Sequence, residues 1–176
     1  MKRTEIPFDQ FNLNIVKAWQ DGWFLLTAGR NAPGEFNMMT VSWGSLGVIW
    51  GRPFAMVVVR PSRHTHGFTE KHDTFTLSAF GPECRRQLEL CGAASGRDTD
   101  KVKATGLTPV TSTKVEAPAF DQAELVLECR KIYRDKIDPG NFLAGDIEAN
   151  YKGSDYHTVY FGEILAIHGA AKYRRR

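Results

Sequence analysis

The sequence predicts a mainly β fold with short inserted helices, on three observations. Apolar and polar residues alternate along about seven or eight short segments, the period-two signature of half-buried strands. The helical stretches between them are short, and the strand–helix–strand alternation that marks a parallel sheet is missing. No internal repeat, low-complexity tract or linker divides the 176 residues. One domain is therefore expected, burying roughly 70% of its unfolded surface. An antiparallel sheet closed into a barrel fits these elements best.

The elements follow in order. Residues 15–19 and 23–28 read as strands broken at Asp21-Gly22, a turn dipeptide. Residues 36–43 continue in extended chain to the glycine-punctuated Gly44-Ser45-Leu46-Gly47, and 48–50 form a short strand stopped by Gly51-Arg52-Pro53. Residues 54–59 are a continuous apolar run of a length that suits a strand buried on both faces, ended by Pro61. Residues 65–72 are one or two helical turns with Phe68 inward. Residues 74–80 alternate, with Phe75, Leu77 and Ala79 on one side and Thr76 and Ser78 on the other. Pro82 suits a first helical position, and behind it Cys84, Leu88 and Cys91 recur as one apolar stripe. Residues 98–105 are a second short helix closed by Gly106. Residues 123–134 and 156–168 are two long alternating strands, with a turn at Asp138-Pro139-Gly140 between them. The stretch 144–151 fits no single pattern.

The charge balance excludes some functions. Against 20 acidic residues stand 23 basic ones, and Arg174, Arg175 and Arg176 supply the whole excess of three. The body is balanced, the tail over 172–176 is expected to fray, and the basic face that nucleic-acid binding needs is not indicated. No apolar run reaches the ~20 residues of a membrane span, and Met1-Lys2-Arg3-Thr4-Glu5 leads into no signal-type apolar segment. A cytoplasmic protein is expected. Its three cysteines include no CxxC pair. Cys84 and Cys91 on one helix stand about 10 Å apart along its axis, too far for a disulfide, so buried reduced thiols are expected.

Most chemical motifs are absent. There is no GxGxxG between a strand and a helix, no Walker A loop and no HExxH. His64 and His66 lack a third ligand nearby, so no metal is expected. What remains are polar residues at strand ends and glycine-rich turns. Asn37, Met38, Met39, Thr40, Val41, Ser42 and Trp43 mix amide, hydroxyl and aromatic groups on one strand. Arg60, Ser62, Arg63 and Thr65 leave an apolar strand together. Ser95, Arg97 and Lys101 accompany a flexible turn and a helix start. Guanidinium groups, hydroxyls and free N–H groups at a helix start suit a phosphate. The same residue types are equally ordinary on a surface, and Asp98 also reads as a helix cap.

The stretches NMMTVSWGSLGVIWGRPFAMVVVRPSRHT (37–65), FTLSAF (75–80), CGAASGRDTDK (91–101), GLTP (106–109), LECRKIY (127–133) and YHTVYFGEI (156–164) together resemble the flavin reductase-like, FMN-binding split-barrel family, in its order and over nearly the whole chain. The resemblance implies a Greek-key split β-barrel that forms a homodimer, with FMN in a cleft near the dimer interface. It places Asn37, Met38, Thr40, Ser42 and Trp43 along the isoalloxazine and ribityl portion, with Met39 and Val41 in the same strand. Arg60, Ser62, Arg63 and Thr65 would meet the phosphate end. Ser95, Arg97 and Lys101 would close over the phosphate or ring edge, and His157 would contact the flavin. Tyr160, three residues on, is expected to face the opposite side. His64 and His66 stand where the family varies, often with aromatics.

The activity so implied is that of an NAD(P)H-dependent flavin reductase, passing hydride through N5 of FMN to a small-molecule acceptor. No acid or base catalyst is implied. Lys101 or a protonated His157 would tune the reduced ring. The alternatives are a flavoredoxin-like carrier that keeps its FMN, and a non-enzymatic flavin-binding module.

Overall fold

The computed structural model describes residues 3–175. Its strands are β1 (Thr4–Glu5), β2 (Phe24–Gly29), β3 (Phe36–Val41), β4 (Gly44–Ile49), β5 (Arg52–Val59), β6 (Thr74–Ala79), β7 (Pro109–Val110), β8 (Ala119–Phe120), β9 (Leu125–Lys136) and β10 (Thr158–Gly169). Its helices are α1 (Ile15–Lys17), α2 (His64–Lys71), α3 (Arg85–Ala93) and α4 (Lys101–Thr105). The main sheet runs β3-β2-β6-β9-β10-β5-β4, with β1 added on β10, and every pairing is antiparallel. β3 and β4 are consecutive in the chain yet do not pair, so the barrel is open along that seam. The closed barrel expected from alternation alone is corrected to a split one. Strand periodicity specifies faces but does not specify which edges meet.

Alternation sorts the core. Phe24, Leu26, Ala28, Met39, Val41, Ala55, Val57, Val59, Phe75, Leu77, Leu127, Cys129, Tyr160 and Ile164 point into the main interior. The opposite face of β2, β3 and β9 supplies Leu25, Met38 and Val126 to a second cluster, closed by Cys84, Leu88 and Cys91 and by Phe120. The stripe predicted at Cys84, Leu88 and Cys91 is thus the buried face of α3 and the turn before it. The thiols of Cys84, Cys91 and Cys129 are free and buried. Gly162 sits where β10 shifts register against β9. A Cβ there would lie 2.5 Å from Cζ of Phe75 and 2.9 Å from Cβ of Cys129, so the sheet closes on a glycine.

Four expectations change. Residues 15–19 are not a strand: the Asn14 side chain accepts from Lys17 N at 3.0 Å, and α1 leads into a wide turn over 18–22. An N-cap outweighs the β-branched Ile15 and Val16 because both lie at the surface, where no sheet is offered to them. Gly44-Ser45-Leu46-Gly47 is not a break: it is the first part of β4, and the hairpin turns at Trp50-Gly51, with φ of 52° and 69°. The glycine is required by proximity, since a Cβ on Gly44 would lie 2.4 Å from the Trp19 ring. Finally, the tail is held as far as Arg175. Lys172 Nζ meets Glu124 Oε2 at 2.5 Å, Phe11 bridges Arg174, and Arg175 N donates to Gln10 O at 2.7 Å. Arg176 lies outside the described residues. The helix expected over 98–105 begins only at Lys101 and is capped by Asp100, not Asp98; the left-handed Gly106 ends it at φ 67°.

Candidate functional site

β5 ends at Val59, and the chain turns through Arg60–Arg63 into α2. That helix has no side-chain cap at its N-terminus, so its first N–H groups are available to an anion. Facing it is the 93–97 turn after α3. Between them lies a cleft of about 180 Å³ lined by Asn37, Ser62, Arg63, Thr65, Ser95, Arg97 and Lys101, with His64, Gly96 and Ala93-Ala94 completing the wall. The fold therefore brings seven of the predicted residues, drawn from three separate stretches, to one small polar cavity. Gly96 is needed for this closeness, since a Cβ there would lie 2.2 Å from Asn37 Oδ1.

The cleft is preorganised from behind. Asn37 Nδ2 donates to Thr65 Oγ1 at 2.8 Å. Arg63 Nη2 donates to Gly92 O at 2.5 Å, and Arg97 Nη1 to Ser62 O at 3.1 Å. Neither guanidinium meets a carboxylate among the described residues, so both keep charge for a ligand. Lys101 is 5% exposed, and its ammonium donates to Met38 O at 2.8 Å and Cys91 O at 2.9 Å. Burial, joined by Arg63 and opposed by Cys91, lowers its pKa to about 8. Lys101 is first of all a bolt between β3 and α3.

The remaining predicted residues lie elsewhere. The side chains of Met39 and Val41 are in the main core, and that of Met38 is in the second cluster. Both faces of β3 beyond Asn37 are covered by core, so only the main chain of these three can face a ligand. Thr40 Oγ1 donates to Leu88 O at 2.5 Å. Ser42 and Trp43 form the link across the open seam, with Trp43 46% exposed and its ring 5.4 Å from that of His157. Arg60 is taken up by the 137–157 segment: it donates to Asn150 O at 2.7 Å and Asp155 O at 3.2 Å, and lies 5.0 Å from the centre of the Tyr151 ring. Ser62 donates from N at 3.2 Å and from Oγ at 2.5 Å to the Asp155 carboxylate. Tyr160, as expected, faces away; it is buried in the core and donates to Glu70 at 2.6 Å.

Tyr151 and Asp155 were missed. They fall in and just after the stretch with no periodicity, and only folding puts them against Arg60, Ser62 and His157. Trp43, His157, Tyr151, Arg60, Asp155 and Ser62 form a chain of contacts that ends at the cleft. His157 is 7% exposed, with Nδ1 3.0 Å from the Tyr151 hydroxyl. Burial, then Arg60, against the opposing pull of Asp155, brings its pKa down to about 4. It is uncharged at neutral pH, so the protonated His157 considered as a tuning cation is replaced by a neutral ring.

This has a measurable consequence for stability. The unfolded histidine takes a proton near pH 6.5 and the folded one only near 4, so between those values the unfolded state binds more protons. The contribution of neutral His157 is complete above pH 6.5 and is lost as pH falls toward 4. At pH 5 the loss amounts to about 2 kcal/mol, or roughly 4–8 °C in melting temperature. A His157→Gln variant is expected to lose that much less than the parent between pH 7 and pH 5. Equal losses in calorimetry would reject the assignment.

Another cavity, of about 670 Å³, lies among Leu13, Trp23, Phe80, Leu88 and Tyr173, and no predicted site residue lines it. Among the described residues there is no cluster of three or more metal-ligating side chains, and no helix is long and apolar enough to cross a membrane.

The open antiparallel barrel is that of the split-barrel proteins. Residues 16–175 match the flavin reductase like domain, and the chain belongs to that family. It is similar to an uncharacterized protein of Pyrococcus abyssi (strain GE5 / Orsay), 29% identical over 144 residues, covering 81% of this chain and 70% of that one. In fold it is similar to flavoredoxin of Desulfovibrio vulgaris (Miyazaki F), with a TM-score of 0.67 at 22% identity, covering 92% of this chain and 75% of that one. It is similar also to an NADH:FAD oxidoreductase of Streptomyces globisporus C-1027, with a TM-score of 0.64 at 19% identity, covering 88% and 78% of the two chains.

Proposed function

We propose that the protein binds FMN and acts as an NAD(P)H-dependent flavin reductase. The observation that carries this reading is the cleft: two guanidiniums that meet no carboxylate among the described residues face an uncapped helix start, in a chain of the flavin reductase like domain family. Its size and donors fit a phosphate monoester. When bound, FMN supplies a ring that accepts two electrons from a nicotinamide donor. The protein supplies position. Arg63, Arg97 and the first turn of α2 hold the phosphate, with Ser95 and Thr65 beside them. Trp43, Tyr151 and neutral His157 form a wall for the ring without adding charge. Lys101 keeps β3 and α3 at the spacing the cleft requires.

The homodimer that the resemblance implies has a candidate face. Val48 and Trp50 are 74% and 62% exposed, and Trp50 leans on Tyr133 at 6.0 Å, which packs on Phe161 at 5.7 Å. These residues make an apolar outer surface on β4, β10 and β9, next to the open seam.

The test is an absorbance spectrum of purified protein incubated with FMN and gel-filtered, then mixed with NADH or NADPH. The expected result is catalytic nicotinamide oxidation on addition of excess FMN. Failure to turn over with either nucleotide rejects the reductase. The fold likeness to flavoredoxin supports a second reading, an electron carrier, which predicts retained yellow colour and slow reaction with both nucleotides.

A further inference from the structure

The phosphate cleft contains an anion supplied by the protein itself. Ser62 lines the cleft, on the turn that leads into α2, and carries two donors suited to an anion, a main-chain N–H and a hydroxyl. Both are given to one carboxylate: Ser62 N donates to Asp155 Oδ1 at 3.2 Å, and Ser62 Oγ to Asp155 Oδ2 at 2.5 Å. The neighbouring donors are not spent in this way. Arg63 and Arg97 donate to main-chain carbonyls, and Asn37 to the Thr65 hydroxyl, all uncharged acceptors.

The contact has the form of a bound ligand rather than of an ion pair. Each oxygen of Asp155 takes one donor of the same residue, as two oxygens of a phosphate would. Arg60, on the same turn, donates to the main-chain carbonyl of Asp155 at 3.2 Å, and the carboxylate meets no cation among the described residues. Asp155 arrives from the segment between β9 and β10, 93 residues along the chain. Arg60 fastens that segment to the turn again at Asn150 O, at 2.7 Å. The carboxylate is thus held at the cleft at a high local concentration. Residues 143–150 of the same segment are exposed throughout, so little packing opposes a small movement that frees it.

A phosphate and Asp155 cannot both hold Ser62, and their like charges repel. We propose that Asp155 is a tethered competitor for the flavin phosphate and sets how tightly that end of the ligand is held. This rests on the FMN reading above and deepens it. A reductase that hands reduced flavin to an acceptor must let the flavin go. Spending a donor pair on its own carboxylate weakens the hold at the phosphate, the end that takes no part in the ring chemistry.

Asp155→Asn keeps the shape and removes the charge. Fluorescence titrations of parent and variant with FMN and with riboflavin read the result. FMN is expected to bind the variant at least about 5-fold tighter, and riboflavin, which has no phosphate, within about twofold of the parent. In a Ser62→Ala background the same substitution is expected to gain about twofold at most, because only the N–H is left to contest. An FMN affinity unchanged or weakened by Asp155→Asn overturns the proposal and makes Asp155 a support of the turn. An equal gain for riboflavin, or an undiminished gain in Ser62→Ala, overturns it as well. If FMN binds neither protein, the FMN reading fails, and thermal shifts with inorganic phosphate decide on Asp155 alone. The phosphate concentration that raises the melting temperature by about 2 °C is then expected to be at least about 5-fold lower in the variant; equal concentrations overturn the competitor.

Discussion

Replacing Arg63 with alanine is expected to weaken FMN binding by about 10- to 100-fold, the 1.5–3 kcal/mol of a hydrogen bond to a charged group. Arg63 is the guanidinium nearest the helix start that lines the cleft, and no carboxylate of the described residues competes for it. Because it also donates to Gly92 O at 2.5 Å, its loss could loosen the 92–97 turn instead. Riboflavin separates these effects, since it presents the same ring without a phosphate. Fluorescence titration is expected to show riboflavin affinity within about threefold of the parent. An equal loss for both ligands would make Arg63 a support of the turn and remove it from the phosphate site. Arg63→Lys should recover only part of the FMN affinity, because an ammonium cannot make the two-pronged contact.

The second large effect concerns stability, far from the cleft. Glu128 on β9 is 1% exposed, and its carboxylate accepts from Thr113 N at 2.9 Å and Lys114 N at 2.6 Å, and from the Thr113 hydroxyl at 3.1 Å. One side chain thereby anchors the long excursion from α4 back to β9. Glu128→Ala leaves those donors without their acceptor and opens a void in the sheet face. A destabilisation of about 2–3 kcal/mol is expected, seen as a fall of roughly 5–10 °C in melting temperature. FMN affinity should hold at temperatures where the variant is folded, because the 111–118 segment does not line the cleft. A melting temperature within 2 °C of the parent's would mean that water replaces the carboxylate.

How much of this could be read beforehand depends on what each residue's neighbours in sequence reveal. The strand at 74–79 was legible because Phe75 and Leu77 alternate with Thr76 and Ser78, and sheet faces follow from alternation alone. α4 was legible at its end, where Gly106 adopts the left-handed conformation, but not at its start, where Asp98 and Asp100 are equivalent as caps in sequence. The candidate site divides in the same way. Ser62, Arg63, Thr65, Ser95 and Arg97 could be nominated as phosphate-binding types, but their meeting depends on the pairing of β3, β2 and β6 and on α3 packing behind them. From Asn37 to Trp43 the side chains part: Met39 and Val41 enter the main core and Met38 the second cluster, because both faces of β3 past Asn37 are packed, which the sequence alone does not tell. Tyr151 and Asp155 had no local signal, because their segment is ordered by its contacts with Arg60 and Ser62 rather than by a repeating pattern.

The burial of the cysteines acquires a meaning on the proposed chemistry. A reduced flavin that meets oxygen releases peroxide, and peroxide attacks thiolates, not thiols. Cys91 lies directly behind the cleft, with its carbonyl on Lys101, yet burial pushes its pKa up to about 11. Burial likewise raises the pKa of Cys84 and of Cys129. On that chemistry the three cysteines stand in the protonated form that peroxide does not readily attack, so turnover in air would spare them.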